Sequence, residues 1–433
     1  MQRPAVILVL YYARGVYPLR DTIKSHLYCW RRYSKYRFIY VNVAFGFPWR
    51  LLKRARIAAV IYHTIFLSIR WVPWLFQERA KLCAPLAAID VPKIAMPQDE
   101  FIHTDMLAQF LASQKITHLY TCAEEQDWRN IYGRFLDFSR VMVKTVLTGF
   151  LDDDTTLRIN RLKQTQRERR WDLGYRAWKA AYWLGEHGQH KVQVADIICE
   201  AAKRRGLRVD SSMRDEDVLS GDDWFEFLLD CRATVGAEGG ASVLDRDGSI
   251  RASVEAYLRE HSAADFEKVQ AACFPDRDHE LGLACISPRH LEACVTETCQ
   301  VLIKGHYNGI LRPWEHYIPV QPDYSDVERA LDALADHKLV ERLVRKAYVD
   351  VVESGRWTYR NFVKETEVDI LDRAGLCRMD FTSWLLYAFF FLRDWLLWRA
   401  VQIQASILRG KRRSKVIQFV LRLVRRRTFV MGG

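Results

Sequence analysis

The sequence predicts an α/β protein made of two successive domains, each a parallel sheet with helices around it, facing one another across a cleft and followed by a helical, aromatic and basic tail. Three observations predict this. Short apolar, β-rich runs recur through the first 150 residues with amphipathic stretches of roughly 15–30 residues between them, the spacing of βαβ units. The same alternation restarts after a polar interruption at 152–170. Beyond residue 365 the pattern changes to helical spacing, first aromatic and then cationic.

In chain order, strands are expected at 5–12, 38–43, 57–62, 93–96, 117–121 and 145–150, which defines a first domain over 1–155. The 152–170 stretch opens with Asp152-Asp153-Asp154, continues with six basic residues, lacks apolar periodicity, and reads as an interdomain linker. A second domain over 166–365 should hold strands at 173–176, 207–210, 233–236, 301–304 and 317–320, with helices between them. A tail occupies 366–433. In open α/β sheets ligands bind beyond the carboxyl ends of the strands, so function is sought at strand-to-helix turns facing the cleft.

Composition narrows the classes. With 49% hydrophobic and 27% charged residues over 433 positions, the chain is not a disordered or low-complexity one. The formal net charge is +12, yet the acid-free stretch from Trp395 to Gly433 holds ten of the basic residues, leaving +2 for everything before it. A near-neutral body argues against a nucleic-acid-coating surface, and no nucleic-acid partner is expected. The ten cysteines show no Cys-x-x-Cys pair and no zinc-ligand spacing, which reads as reduced, cytoplasmic, core-filling thiols. The longest uncharged aromatic run, 381–392, is 12 residues, short of the about 20 that a membrane span needs.

Several motifs could carry chemistry. His63 follows the third strand, where an imidazole titrating near neutrality can act as a general base; a hydrogen-bonded structural histidine is the alternative. After the 233–236 strand come Gly236-Ala237-Glu238-Gly239-Gly240-Ala241-Ser242, small residues that let backbone N–H groups approach a diphosphate, or that simply serve a turn. Ser287-Pro288 starts a helix that puts Arg289 and Glu292 three apart, as a phosphate and ribose contact or as a solvated pair. Asp152/Asp154 and Asp245/Asp247 satisfy Asp-x-Asp, a frequent chance pattern that a linker and an Asp-Gly turn also explain.

Taken in order, these pieces resemble a known family. Gly305-His306-Tyr307-Asn308-Gly309, His316-Tyr317-Ile318-Pro319, Ser325-Asp326-Val327 and Arg289-x-x-Glu292-Ala293 look like the carboxy-terminal half of GT-B glycosyltransferases, especially the spore-coat and cell-surface polysaccharide group. Tyr62-His63-Thr64 through Arg70-Trp71, Pro97-Gln98-Asp99-Glu100-Phe101 and, more loosely, Thr358-Tyr359 with Phe362-Val363 extend the likeness over residues 5–365. The resemblance implies two Rossmann-like domains, a nucleotide-sugar donor on the second and a glycan or lipid-linked acceptor on the first. It also implies leaving-group stabilisation by Arg, Lys and helix N-termini, with no metal or other cofactor. Carried onto this chain, His63 would be the base. Arg176 and Lys191 would contact phosphate, with Arg289 in reserve and Lys179 a looser candidate. Glu238, Gly239, Gly240 and Ser242 would line the donor pocket, and Glu292 would hold ribose or sugar hydroxyls. The family's Glu-x7-Glu pair is incomplete, because the position seven intervening residues before Glu292 is Ala284; retention or inversion is left undecided.

The tail combines Trp384, Phe389, Phe390, Trp395 and Trp398 with the basic cluster, the composition of a helix lying in an anionic membrane interface. The expected location is therefore the inner face of the cytoplasmic membrane, as a peripheral protein. Two other readings are a non-catalytic glycosyltransferase-like scaffold that binds membrane or nucleic acid through its tail, and a metal-dependent GT-A enzyme using Asp245 and Asp247.

Overall fold

The computed structural model describes residues 6–14, 21–165, 168–371 and 381–412. Two parallel sheets organise them. The first has the order β2-β1-β3-β4-β5-β6, with β1 at Val6–Tyr11, β2 at Phe38–Asn42, β3 at Ile57–Tyr62, β4 at Lys93–Ala95, β5 at His118–Thr121 and β6 at Met142–Thr145. Every pairing in it is parallel. β1 and β2 are buried along their whole length, which is why they read as unbroken apolar runs: helices cover both faces of a parallel sheet. The second sheet runs β13-β12-β9-β7-β8, with β7 at Trp171–Arg176, β8 at Val209–Ser212, β9 at Cys231–Gly236, β12 at Cys299–Ile303 and β13 at Ile318–Val320. It too is all parallel. The expected pair of Rossmann-like α/β units is present.

The carboxyl ends of the two sheets face each other. The Asp21–Tyr33 helix begins beyond the carboxyl end of β1 and the Asp222–Asp230 helix beyond that of β8, and Arg158 bridges the two starts, 3.4 Å from Asp21 and 2.6 Å from Asp222.

Three expectations are corrected. The sixth strand lies at Met142–Thr145, not 145–150; Leu147 and Leu151 are apolar because they pack in a core with Leu291 and Val295 of the second unit. In the second unit the strand expected at 207–210 is shifted to Val209–Ser212. The stretch read as a linker contains a 13-residue helix, Asp153–Thr165. Its acidic start suits a helix N-terminus, and only Ile159 is fully buried, too little for an apolar stripe to show in the sequence.

Two features tie the units together. A two-stranded antiparallel ladder, β10 (Gly239–Ala241) with β11 (Leu283–Cys285), was not foreseen. The chain between these strands packs on the first unit, where Asp245 N–H donates to Phe101 C=O at 2.8 Å, and Trp183, before β10 in the chain, meets Trp71 there with ring centroids 5.6 Å apart. The Tyr359–Thr366 helix returns to the first unit, placing Tyr359, Phe362 and Val363 in one core with Ile7, Val9 and Tyr11.

The Phe381–Arg412 helix lies along β2, the edge strand of the first sheet. Phe390 and Asp394 are buried, and Asp394 accepts from Tyr11 OH at 2.6 Å and pairs with Arg31 at 2.9 Å. Six tail cations, Arg413, Lys415, Arg422, Arg425, Arg426 and Arg427, lie outside the described residues. All nine described cysteines are free thiols, eight of them buried. Among the described residues no helix is long and apolar enough to cross a membrane.

Candidate active site

Beyond the carboxyl end of β4 the chain turns through Pro97-Gln98-Asp99-Glu100-Phe101. Asp99 has φ +53°, a left-handed backbone that a non-glycine residue adopts at a cost. Arg70, fully buried, holds the turn from inside. Its Nε donates to Ile102 C=O at 3.0 Å, Nη1 to Leu67 C=O at 3.1 Å, and Nη2 to Gln98 C=O at 2.8 Å and to Asp99 C=O. Glu100, also fully buried, accepts from Cys122 N–H at 2.8 Å, Tyr132 OH at 2.6 Å and Thr121 OH. The Asp99 side chain, by contrast, is exposed and has no hydrogen bond or ion pair among the described residues. Desolvation within the crevice raises its pKa, against the pull of Arg70 and of Lys191 from the second unit.

The second unit presents Lys191 to this turn, with Arg289 near Lys191. Lys191 lies on the Gly185–Gln193 helix, its Nζ 5.7 Å from the centre of the Trp178 ring. Arg289 is the second residue of the Pro288–Val295 helix; its Nη1 donates to Arg176 C=O at 2.9 Å and its guanidinium lies 5.8 Å from the Trp224 ring. Neither makes an ion pair among the described residues. Desolvation, and then the like charge of Arg289, lowers the Lys191 pKa. His187 stands one helical turn before Lys191 with Nε2 buried and unpartnered. Burial pushes its pKa down to about 4, so the ring is neutral at pH 7. Thr148, in the segment that crosses between the units, donates to Ile286 C=O at 3.0 Å and fixes the entry to the Arg289 helix.

The other sequence candidates have internal partners. His63 is fully buried; its Nδ1 accepts from Ile65 N–H at 3.2 Å and its Nε2 faces His26 Nδ1 at 2.8 Å, so neither nitrogen is free for an acceptor hydroxyl. Burial, and then His26, pushes the His63 pKa well down. Arg176 pairs with Asp210 at 2.7 Å, beside a groove of about 620 Å³ that Lys179 also lines. Its Nε is buried without a partner. Glu238 is buried and accepts from the backbone N–H groups of His306 (3.1 Å) and Tyr307, which secures the loop after β12. Gly239 and Gly240 form β10, and Gly240 has φ +137° with Leu283 C=O 1.8 Å from where a Cβ would stand. Ser242 accepts from His187 N–H at 3.1 Å, which holds the start of the Lys191 helix. Glu292, buried, accepts from Trp224 Nε1–H at 2.8 Å, and burial raises its pKa.

The structure thus gathers Lys191 and Arg289 of the expected donor set and places Asp99 and His187 with them. His63 is not in that group. Asp99 had a legible sign, a polar Gln98-Asp99-Glu100 triplet immediately after an apolar strand; His187 had none. Of the two Asp-x-Asp motifs, Asp245 accepts from the N–H groups of Gly248 (2.8 Å) and Arg251 (2.9 Å) and caps a helix, while Asp152 binds Arg32 and Tyr33.

No family model matches the chain, and no curated protein matches it. Among solved structures, it is similar to Anabaena HepE in complex with UDP-glucose (11% identity, TM-score 0.45, 84% of this chain and 100% of that one). A glycosyltransferase from Rickettsia africae ESF-5 aligns at 7% identity and TM-score 0.45 over 86% and 98% of the two chains. AviGT4, a glycosyltransferase involved in avilamycin A biosynthesis, aligns at 11% identity and TM-score 0.40 over 85% and 97%.

Proposed function

We propose that the protein is a glycosyltransferase that moves a sugar from a nucleotide-sugar donor, held by the second unit, to a surface-glycan or lipid-linked acceptor on the first. The observation that carries this is the Lys191–Arg289 pair: two cations in the crevice between the sheets, close enough for the charge of one to lower the pKa of the other, partly buried and without an ion pair among the described residues. Such a pair is stable when an anion lies between its members, and a diphosphate suits both its charge and its size. The Pro288–Val295 helix directs its N-terminus, with its partial positive charge, to the same place.

The chemistry follows from that placement. As the sugar–phosphate bond breaks, negative charge grows on the departing nucleoside diphosphate, and cations already in position stabilise it without reorganisation. Lys191 and Arg289 supply this charge in place of a divalent metal. Trp224 and Glu292 brace Arg289 from behind, so the guanidinium keeps its orientation while substrate exchanges.

The membrane is the second partner proposed. Trp384, Leu385, Phe389, Leu392, Trp395 and Leu396 are exposed on the Phe381–Arg412 helix, and the basic residues follow them in the chain. An apolar face beside a cationic end binds an anionic leaflet, which keeps a transferase near lipid-linked acceptors on the cytoplasmic side.

Calorimetric titration with UDP, GDP and TDP tests the donor site. One of them should bind, and Lys191→Ala or Arg289→Ala should weaken it about tenfold or more, since a charge-assisted hydrogen bond contributes about 1.5–3 kcal/mol. Release of that nucleotide from its sugar conjugates should continue in EDTA. Absence of nucleotide binding would overturn the proposal.

A further inference from the structure

We infer that the Asp99 carboxylate takes the proton from the acceptor hydroxyl. This assignment rests on the sugar-transfer reading above and deepens it.

The geometry points to Asp99 in four ways. The residue lies beyond the carboxyl end of a central strand, where α/β sheets bind ligands. Its carboxylate is exposed and unpartnered among the described residues, whereas the adjacent Glu100 carboxylate is buried and fully engaged. Its backbone is in the left-handed region, and Arg70 anchors the carbonyls on either side of its φ and ψ bonds, those of Gln98 and Asp99 itself. Strain of this kind persists only where the surroundings enforce it, and a buried guanidinium binding four carbonyls is such an enforcement. Finally, Asp99 belongs to the first unit but feels the charge of Lys191 from the second, so it stands where acceptor and donor meet. The ionisable groups around it are Arg70, Lys191, Cys285, Cys122 and Glu100.

In the step assigned to it, the acceptor O–H proton passes to an Asp99 carboxylate oxygen as the acceptor oxygen bonds to the anomeric carbon. The bond from that carbon to the diphosphate oxygen breaks, and its electron pair leaves with the nucleoside diphosphate beside Lys191 and Arg289. A base within reach of the reacting hydroxyl contributes about 10²–10⁴-fold in rate.

Asp99→Asn tests this with little change of shape, because asparagine tolerates the left-handed backbone well. Two measurements on the full chain are needed: calorimetric binding of UDP, GDP and TDP, and nucleotide release from uridine-, guanosine- and thymidine-diphosphate sugars. Asp99→Asn should bind nucleotide at least as tightly as the wild type, because it removes a negative charge near Lys191, and should lose turnover at least 100-fold. Asp99→Gly, which relaxes the left-handed backbone, should be equally inactive and unfold at no lower temperature than the wild type. If Asp99→Asn binds nucleotide and turns over within threefold of the wild type, the Asp99 assignment fails and the donor site stands. If it loses nucleotide binding, Asp99 serves the structure of the cleft and the assignment fails. If the wild type neither binds nucleotide nor releases it from any of these donors, the sugar-transfer reading fails and the assignment with it.

Discussion

His63 Nδ1 accepts the Ile65 N–H, which leaves the ring proton on Nε2, directed at His26 Nδ1. Two buried imidazoles hydrogen-bonded in this way must both stay neutral, and burial does push both pKa values down, that of His26 to about 4. His290 is held likewise, between Gln300 and Ala237 C=O, and is also pushed down to about 4. A histidine with a depressed folded pKa contributes stability that is complete above its unfolded value of about 6.5 and is lost as pH falls toward 4. His290→Gln removes one such titration. Between pH 7.5 and 5.0 the wild type should therefore lose about 2 kcal/mol more of unfolding free energy than this variant, measured by urea titration. Equal losses would mean that His290 is not kept neutral by the fold. The position of His63 at a strand's carboxyl end was legible in the sequence. Its burial was not, because that depends on His26, 37 positions earlier, and on the Tyr359–Thr366 helix, whose Tyr359 and Phe362 close over His26.

Among elements, those with a strong internal signal were the ones read correctly. β1, β2 and β3 are continuous apolar runs, and any parallel sheet would bury them. The β10–β11 ladder has no such signal, since β10 is Gly-Gly-Ala and its partner lies more than 40 residues later. The sequence leaves these glycines as a diphosphate loop or a turn; in the fold Gly240 is needed for close approach of the β11 backbone, since Leu283 C=O occupies the place a Cβ would take. Gly240→Ala should cost roughly 2–3 kcal/mol through backbone strain and loss of pairing, seen as a lower urea midpoint. A change under about 0.5 kcal/mol, an ordinary surface value, would contradict the close approach. The Asp153–Thr165 helix was missed for the complementary reason. One buried residue is enough to dock it once both units are folded, but not enough to mark it in the sequence.

At the scale of the whole molecule, the Phe381–Arg412 helix does two things at once. It covers β2, an edge that would otherwise offer unpaired backbone groups to another chain. It is fixed there by Asp394, which meets Arg31, Tyr11 and Tyr28, while its opposite side displays aromatic and aliphatic residues. Vesicles containing phosphatidylserine should co-sediment the protein at low salt, and less so as salt rises. Trp384→Glu combined with Leu396→Glu should abolish that binding and leave nucleotide affinity unchanged, because both residues face away from the body. Undiminished co-sedimentation of the double variant would rule out this face as the membrane contact.

The α/β class, the two successive sheets and most of their strands are legible along the chain, because periodicity and apolar runs are local properties. So are the Pro288–Val295 helix start and the aromatic tail. Which polar residues share one place depends on the folded arrangement. Glu238, Ser242, Glu292 and His63 are the types a site would use, but each has an internal partner. Lys191, Arg289 and Asp99 have no ion-pair partner among the described residues, and this depends on how two sheets, a crossing segment and a returning helix are brought together. A charge acts through what stands within a few ångströms of it, and that distance is set across the fold, not along the chain.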